Sequence, residues 1–197
     1  MGYDKALCAV IRVGDGRGFV VAGKLQKRLV ITAAHCLPSF PPCHTASDPE
    51  DRIYKQFLGP LDAEPTVWAE CLFVDPIADL AVLGAPGHPD LYDKNQQYKA
   101  LTWAMTPLRI AKAEENTPAF LLSLDGRWLA GRVSPAYGTL WIKDAKSVPG
   151  MSGSPIIDQG GRAIGVVCTG GESERSGPDG PNAELMHSLP RWVPPLR

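Results

Sequence analysis

Residues 147–155, Ser-Val-Pro-Gly-Met-Ser-Gly-Ser-Pro, set Ser152 in a glycine-rich turn that leads into an apolar run. A serine hydroxyl transfers acyl groups only with a neighbouring base, a group that orients the base, and donors for the developing oxyanion. The chain has four histidines, His35, His44, His88 and His187. Only His35 directly follows a β-branched run, in LVITAAHC, and a strand ending there puts its imidazole at the rim of a sheet. His44 and His88 lie in proline-rich loops and read as solvated surface residues. For the orienting carboxylate, VDPIADLAVL offers two aspartates. Asp79 immediately precedes an apolar strand and would be anchored and partly buried, as a carboxylate holding a histidine tautomer must be. Taken alone, it is equally a strand-start residue bonded to local backbone. Asp75 sits beside a proline and faces solvent on this reading.

These residues need a scaffold, and the composition restricts which. With 197 residues, 44% hydrophobic and 21% charged, the chain has the proportions of a globular protein of one domain or two small packed halves. Twenty glycines and nineteen prolines are scattered throughout, which favours short strands and turns over long helices. Strand signals recur as apolar or alternating runs at 6–13, 18–22, 28–34, 66–75 and 80–85, and again at 119–124, 128–134, 139–144, 154–158 and 163–168. A polar, pattern-poor connector at 90–117 separates the two sets, so the expected halves are 1–105 and 106–197. Residues 38–65 and 170–182 read as long loops.

A net charge of -1 with interspersed signs points away from nucleic acid and from anionic membranes as partners. No apolar run approaches membrane-spanning length. Five cysteines at irregular spacing, without a secretory signal at the start, read as free thiols in the cytoplasm. Cys43 and His44 are adjacent but lack a second ligand pair at zinc spacing, so no metal or other cofactor is expected.

TAAHC, ADLAVL and GMSGSP, in that order, resemble the three signature blocks of trypsin-like (chymotrypsin-fold) serine proteases. AIGVVCTGG, after the serine, is similar to the family's substrate-backbone strand. The resemblance implies an all-β fold of two six-stranded antiparallel barrels with the active site between them. It also implies a serine endopeptidase acting on protein or peptide substrates through an acyl-enzyme. His35 would be the general base and then acid, Asp79 its orienting partner and Ser152 the nucleophile. The amides of Gly150 and Ser152 would form the oxyanion hole. Lys146 and Ser147 would lie at the primary specificity pocket, with Thr169 and Gly170 along its entrance. Lys146 at the pocket floor would favour an acidic side chain; pointing to solvent, it would leave a small apolar preference open.

Several positions depart from the family pattern. Met151 stands where zymogen-derived members have the aspartate that pairs with a new N-terminus, and the Ile/Val-Gly-Gly activation start is absent. Both absences point toward the bacterial Deg/HtrA-like branch, and Ser154 after Gly153 also occurs in some glutamyl endopeptidases. Cys36 matches a disulfide-forming position, but Val20 occupies the approximate place of its partner, so no bridge is expected. Cys168 sits where many relatives have a serine near the Asp–His pair. A protease always active in its own cell would need restraint, by narrow specificity, a regulatory protein partner or a movable loop at 146–151. The competing reading is a catalytically silent binding or regulatory protein of the same fold. An α/β-hydrolase esterase is excluded, because its nucleophile motif and residue order both differ from those here.

Overall fold

The computed structural model describes residues 2–24, 27–42, 48–136, 139–143, 148–168 and 182–193. A short helix α1 (Gly2–Leu7) leads into β1 (Val10–Val13), β2 (Gly16–Ala22) and β3 (Arg28–Thr32). β4 (Ile53–Gly59), β5 (Val67–Asp75) and β6 (Leu80–Gly84) complete the first sheet, which closes as β1-β2-β3-β6-β5-β4 with every pairing antiparallel. Helix α2 (Tyr92–Trp103) precedes the second set of strands. These are β7 (Pro118–Leu122), β8 (Trp128–Ala136), β9 (Thr139–Lys143), β10 (Pro155–Asp158), β11 (Ala163–Val166) and β12 (Asn182–Glu184). They close as β7-β8-β9-β12-β11-β10, and a single-turn helix α3 (Leu185–Ser188) follows. The fold is all-β, two closed six-stranded antiparallel barrels, as the sequence led us to expect.

Alternation explains how each barrel builds two packing surfaces. Ile11, Val13, Val20, Val30, Ala81 and Leu83 fill the first barrel. Leu121, Val133, Leu140, Ile142, Ile156 and Ile164 fill the second. Residues of the opposite pleat, among them Phe19, Ile31, Leu80, Val82, Ile157, Ala163 and Val166, pack the two barrels against each other. The connector contributes one bridge to each barrel, Val21 to Leu108 and Ile110 to Ala163.

Several elements correct the sequence reading, among them β12, which begins at Asn182, the last residue of the segment 170–182 read as loop. β4 lies inside the segment 38–65 expected to be loop, and α2 occupies part of the connector expected to be pattern-poor. Lys55, Gln56 and Phe57 interrupt the alternation of β4, because its register with β5 shifts between Tyr54 and Leu58. α2 buries little more than Tyr98 and Thr102, so it carries no apolar stripe for periodicity to detect. The N-terminal run 6–13 divides into the end of α1 and the whole of β1.

Candidate active site

His35 sits in a 3-10 turn, Ala34–Cys36, that begins two residues after β3 ends. Asp79 ends the turn between β5 and β6, with φ +53°, a left-handed conformation unusual for a residue bearing a Cβ. β3 and β6 are hydrogen-bonded neighbours, so their ends bring the two residues together across 44 positions of sequence. The contact is two-pronged. The His35 backbone N–H donates to Asp79 Oδ1 at 2.9 Å, and His35 Nδ1 lies 2.7 Å from Asp79 Oδ2. Ala34 N–H donates to the Asp79 carbonyl at 3.1 Å, and the Cys168 thiol donates to the same oxygen at 3.6 Å.

This pair shifts both titrations. Hydrogen bonding to Asp79 first, and contact with Cys36 second, push His35 up to about 10 against the opposing effect of burial. Burial pushes Asp79 up, but the two His35 hydrogen bonds outweigh it and hold the carboxyl below its ordinary value.

Ser152 belongs to the second barrel, in the turn before β10. Val148, Pro149, Gly150 and Met151 form a turn closed by the Met151 N–H donating to the Val148 carbonyl at 3.1 Å. Proline in the second position and glycine at φ +89° in the third are the signature of a type II turn. Met151, in place of the aspartate of zymogen-derived relatives, is fully buried in the second-barrel core, and the Val148 N–H approaches its sulfur at 3.4 Å. Burial of a thioether anchors this turn. Among the described residues, neither the Gly150 nor the Ser152 amide donates to a backbone carbonyl.

Behind Ser152 the first barrel presses closely. The Arg17 N–H donates to the Ser152 carbonyl at 2.8 Å, and Gly153 N–H donates to the Val167 carbonyl at 2.7 Å. Gly153 has φ +79°, and a Cβ there would stand 1.8 Å from the Arg17 carbonyl oxygen and 2.5 Å from Thr32 Oγ1. Only glycine fits. The Arg17 side chain, 7% exposed, crosses to the second barrel, donating to the carbonyls of Leu122 at 3.2 Å, Ser123 at 3.0 Å and Leu124 at 3.4 Å. Leu124 in turn lies beside Gly150.

His35, Gly150 and Ser152 line one cleft of about 600 Å³ between the barrels. Asp79 supports it from behind. The His35 ring bonds to Asp79, while Nε2 has Cys36 Sγ at 4.0 Å and makes no hydrogen bond to Ser152 among the described residues. Lys146, Ser147, Thr169 and Gly170, and likewise Cys43 and His44, lie outside the described residues. Cys8, Cys36, Cys71 and Cys168 are free thiols. The residue facing Cys36 is Gly16, not Val20: a Cβ on Gly16 would meet Cys36 Sγ at 2.5 Å. An offset of four residues along β2 separates the two assignments.

Sequence reasoning missed Arg17, Thr32 and Phe57. Arg17 lies in Gly-Arg-Gly, where two flanking glycines are a signal of close chain approach, but nothing marks its guanidinium for the other barrel. Phe57 was hidden by the assignment of its segment to a loop.

Residues 16–166 match the trypsin-like peptidase domain, and the chain belongs to that family. No curated protein sequence matches it. Among solved structures it is similar to the inactive form of the Rv3671c protease, at 19% identity and TM-score 0.58, covering 94% of this chain and 88% of that one. That protease is from M. tuberculosis. A serine endoprotease from Yersinia pestis aligns at 15% identity and TM-score 0.58, over 94% of this chain and 61% of the other. The apo MamO protease domain from Magnetospirillum magneticum aligns at 16% and TM-score 0.54, over 93% and 95%. The chain therefore has the fold and family of a trypsin-like serine protease, with bacterial proteases as structural neighbours. Among the described residues, no helix is long and apolar enough to cross a membrane.

Proposed function

We propose that the chain is a serine endopeptidase that hydrolyses peptide bonds through an acyl-enzyme on Ser152. The observation that carries this reading is the two-pronged Asp79–His35 contact, which presents His35 to the cleft that Ser152 also lines. Asp79 fixes the ring so that Nε2 is the nitrogen left for the serine proton. His35 takes that proton as Ser152 Oγ attacks the scissile carbonyl. It then passes the proton to the leaving amine, and water repeats the sequence to release the acid. The Gly150 and Ser152 amides would receive the oxyanion, each such donor contributing about 3 kcal/mol of transition-state stabilisation.

The substrate is a protein or peptide on this reading. Lys146, Ser147, Thr169 and Gly170 would form the specificity pocket by resemblance to the family, with Lys146 selecting an acidic side chain. The free thiols support a reducing compartment, the cytoplasm. Restraint there would come from a regulatory protein partner or from the oxyanion turn. Rotation of the Pro149–Gly150 peptide interconverts type II and type I turns and would withdraw the Gly150 amide.

A catalytically silent binding protein is the second reading, and the absent His35–Ser152 hydrogen bond favours it. Fluorophosphonate labelling followed by intact mass separates the two. One adduct on the wild type, absent from Ser152→Ala and slowed at least a hundredfold in His35→Ala, is expected of the protease. A folded wild type that takes no adduct, alone or with candidate partner proteins, would leave the silent scaffold.

A further inference from the structure

A second cavity, of about 550 Å³, lies between α2 and the first barrel, walled by the start of β3, the middle of β5 and the end of β6. Among the described residues it shares none with the cleft of His35 and Ser152. β3 begins at Arg28 in this cavity and runs toward His35, while β6 begins just after Asp79 and ends in the cavity at Gly84. At about 3.3 Å per residue, these five-residue strands set the two sites roughly 15 Å apart.

Leu72 and Trp103, 41% and 52% exposed, both line the cavity and give it an open apolar surface. The Arg28 guanidinium lies over the Trp103 ring, 4.6 Å from its centroid. Arg28 Nε is buried and has no hydrogen-bond partner, and the side chain makes no ion pair, among the described residues. A cation partly stripped of water by an indole and left without a counterion favours an anion brought beside it. Lys27 and Lys99 add two more positive charges to the lining.

Glu70, 8% exposed, is the one carboxylate among the described lining residues, and both its oxygens are taken. Oε1 pairs with Arg52 at 3.1 Å, and Oε2 accepts the Gly87 N–H at 2.8 Å. The Tyr98 hydroxyl is taken too, by the carbonyls of Arg28 and Leu83 at 3.2 and 3.1 Å. An incoming anion therefore meets the cationic side chains rather than these donors. A dianion such as a phosphate monoester would be repelled by the nearby Glu70 charge more strongly than a monoanion. The volume suits a small molecule. We propose that this cavity binds a small organic monocarboxylate, with its head at Arg28 and Lys99 and an aryl or branched alkyl body against Leu72 and Trp103. The site does not depend on the role of Ser152.

Calorimetric titration of the full chain with phenylbutyrate at neutral pH tests it, with phenylbutyramide and phenylbutyl phosphate as comparisons. The carboxylate should bind saturably at one site. The neutral amide should bind about tenfold more weakly, the value of one charge-assisted hydrogen bond. Arg28→Met keeps an apolar side chain over the indole but removes the charge, so it should weaken the acid about tenfold and leave the amide unchanged. Trp103→Ala, at a half-exposed helix end, should weaken both. Ser152→Ala should bind as the wild type does. If Arg28→Met does not fold, Lys99→Gln at an exposed position of α2 takes its place, with the same expected direction. No saturable binding of the acid, equal binding of acid and amide, or tighter binding of the phosphate overturns the proposal. So does an affinity unchanged in the charge and Trp103 variants, or lost in Ser152→Ala.

Discussion

The two barrels hold their contributions to the cleft by different physics. In the first, His35 and Asp79 are joined by directional polar bonds, and Asp79 keeps a left-handed backbone so that both carboxylate oxygens reach one residue. In the second, Ser152 is held by exclusion. Met151 is sunk in the core, Gly153 fits only because it lacks a side chain, and the Arg17 backbone grips the Ser152 carbonyl. The His35–Asp79 side should therefore fail chemically when a polar partner is changed. The Ser152 side should fail structurally when volume is added.

Asp79→Asn should do the greatest damage to activity while sparing the fold. A drop of about 10⁴ in turnover is expected, from loss of the tautomer and of support for the imidazolium. It should also change the pH dependence. The folded value of His35, about 10, lies above its unfolded value, so the pair stabilises the fold fully below that unfolded value and progressively less as pH rises through about 10. On the proposed mechanism His35 must be neutral to take the serine proton, so fluorophosphonate labelling should rise with pH across the alkaline range. In Asp79→Asn the inflection should move down toward ordinary histidine. An unmoved inflection would separate the pair from the titration.

Gly153→Ala should act on the other side of the comparison. Its methyl would strike the Arg17 carbonyl, and overpacking with a disfavoured φ costs about 3 kcal/mol. For a chain of this size that lowers the unfolding midpoint by about 6–12 °C. Calorimetry showing a wild-type midpoint would mean that the turn yields without resistance.

Arg17→Met tests the junction between the halves and should have the smallest effect of the three. It leaves the carbonyls of Leu122, Ser123 and Leu124 without their donor, at a cost of about 2 kcal/mol. Labelling should slow if Leu124 then releases Gly150, and stability alone should fall if it does not.

Much of the first barrel was legible because its strands are short apolar runs bounded by turn residues, and His35 and Asp79 stand at the ends of two of them. β4 was illegible because its bulge breaks the alternation that betrays a half-buried strand. Helix α2 was missed because it buries so little. The four residues assigned to the specificity pocket lie outside the described residues, while Phe57, which lines the cleft with His35 and Ser152, came from a segment read as loop.

Local chemistry was enough to make Ser152, His35 and Asp79 candidates and to suggest two strand-rich halves, since residue type, order and the company of glycine are written along the chain, while the resemblance to trypsin-like proteases gave each its expected role. Tertiary structure alone decided that Gly16 faces Cys36, that Arg17 spans the barrels, and that Phe57 lies beneath the β1–β2 turn. Those contacts depend on barrel closure and on the register of one bulged strand. Each joins residues whose separation in sequence carries no information about their distance in space.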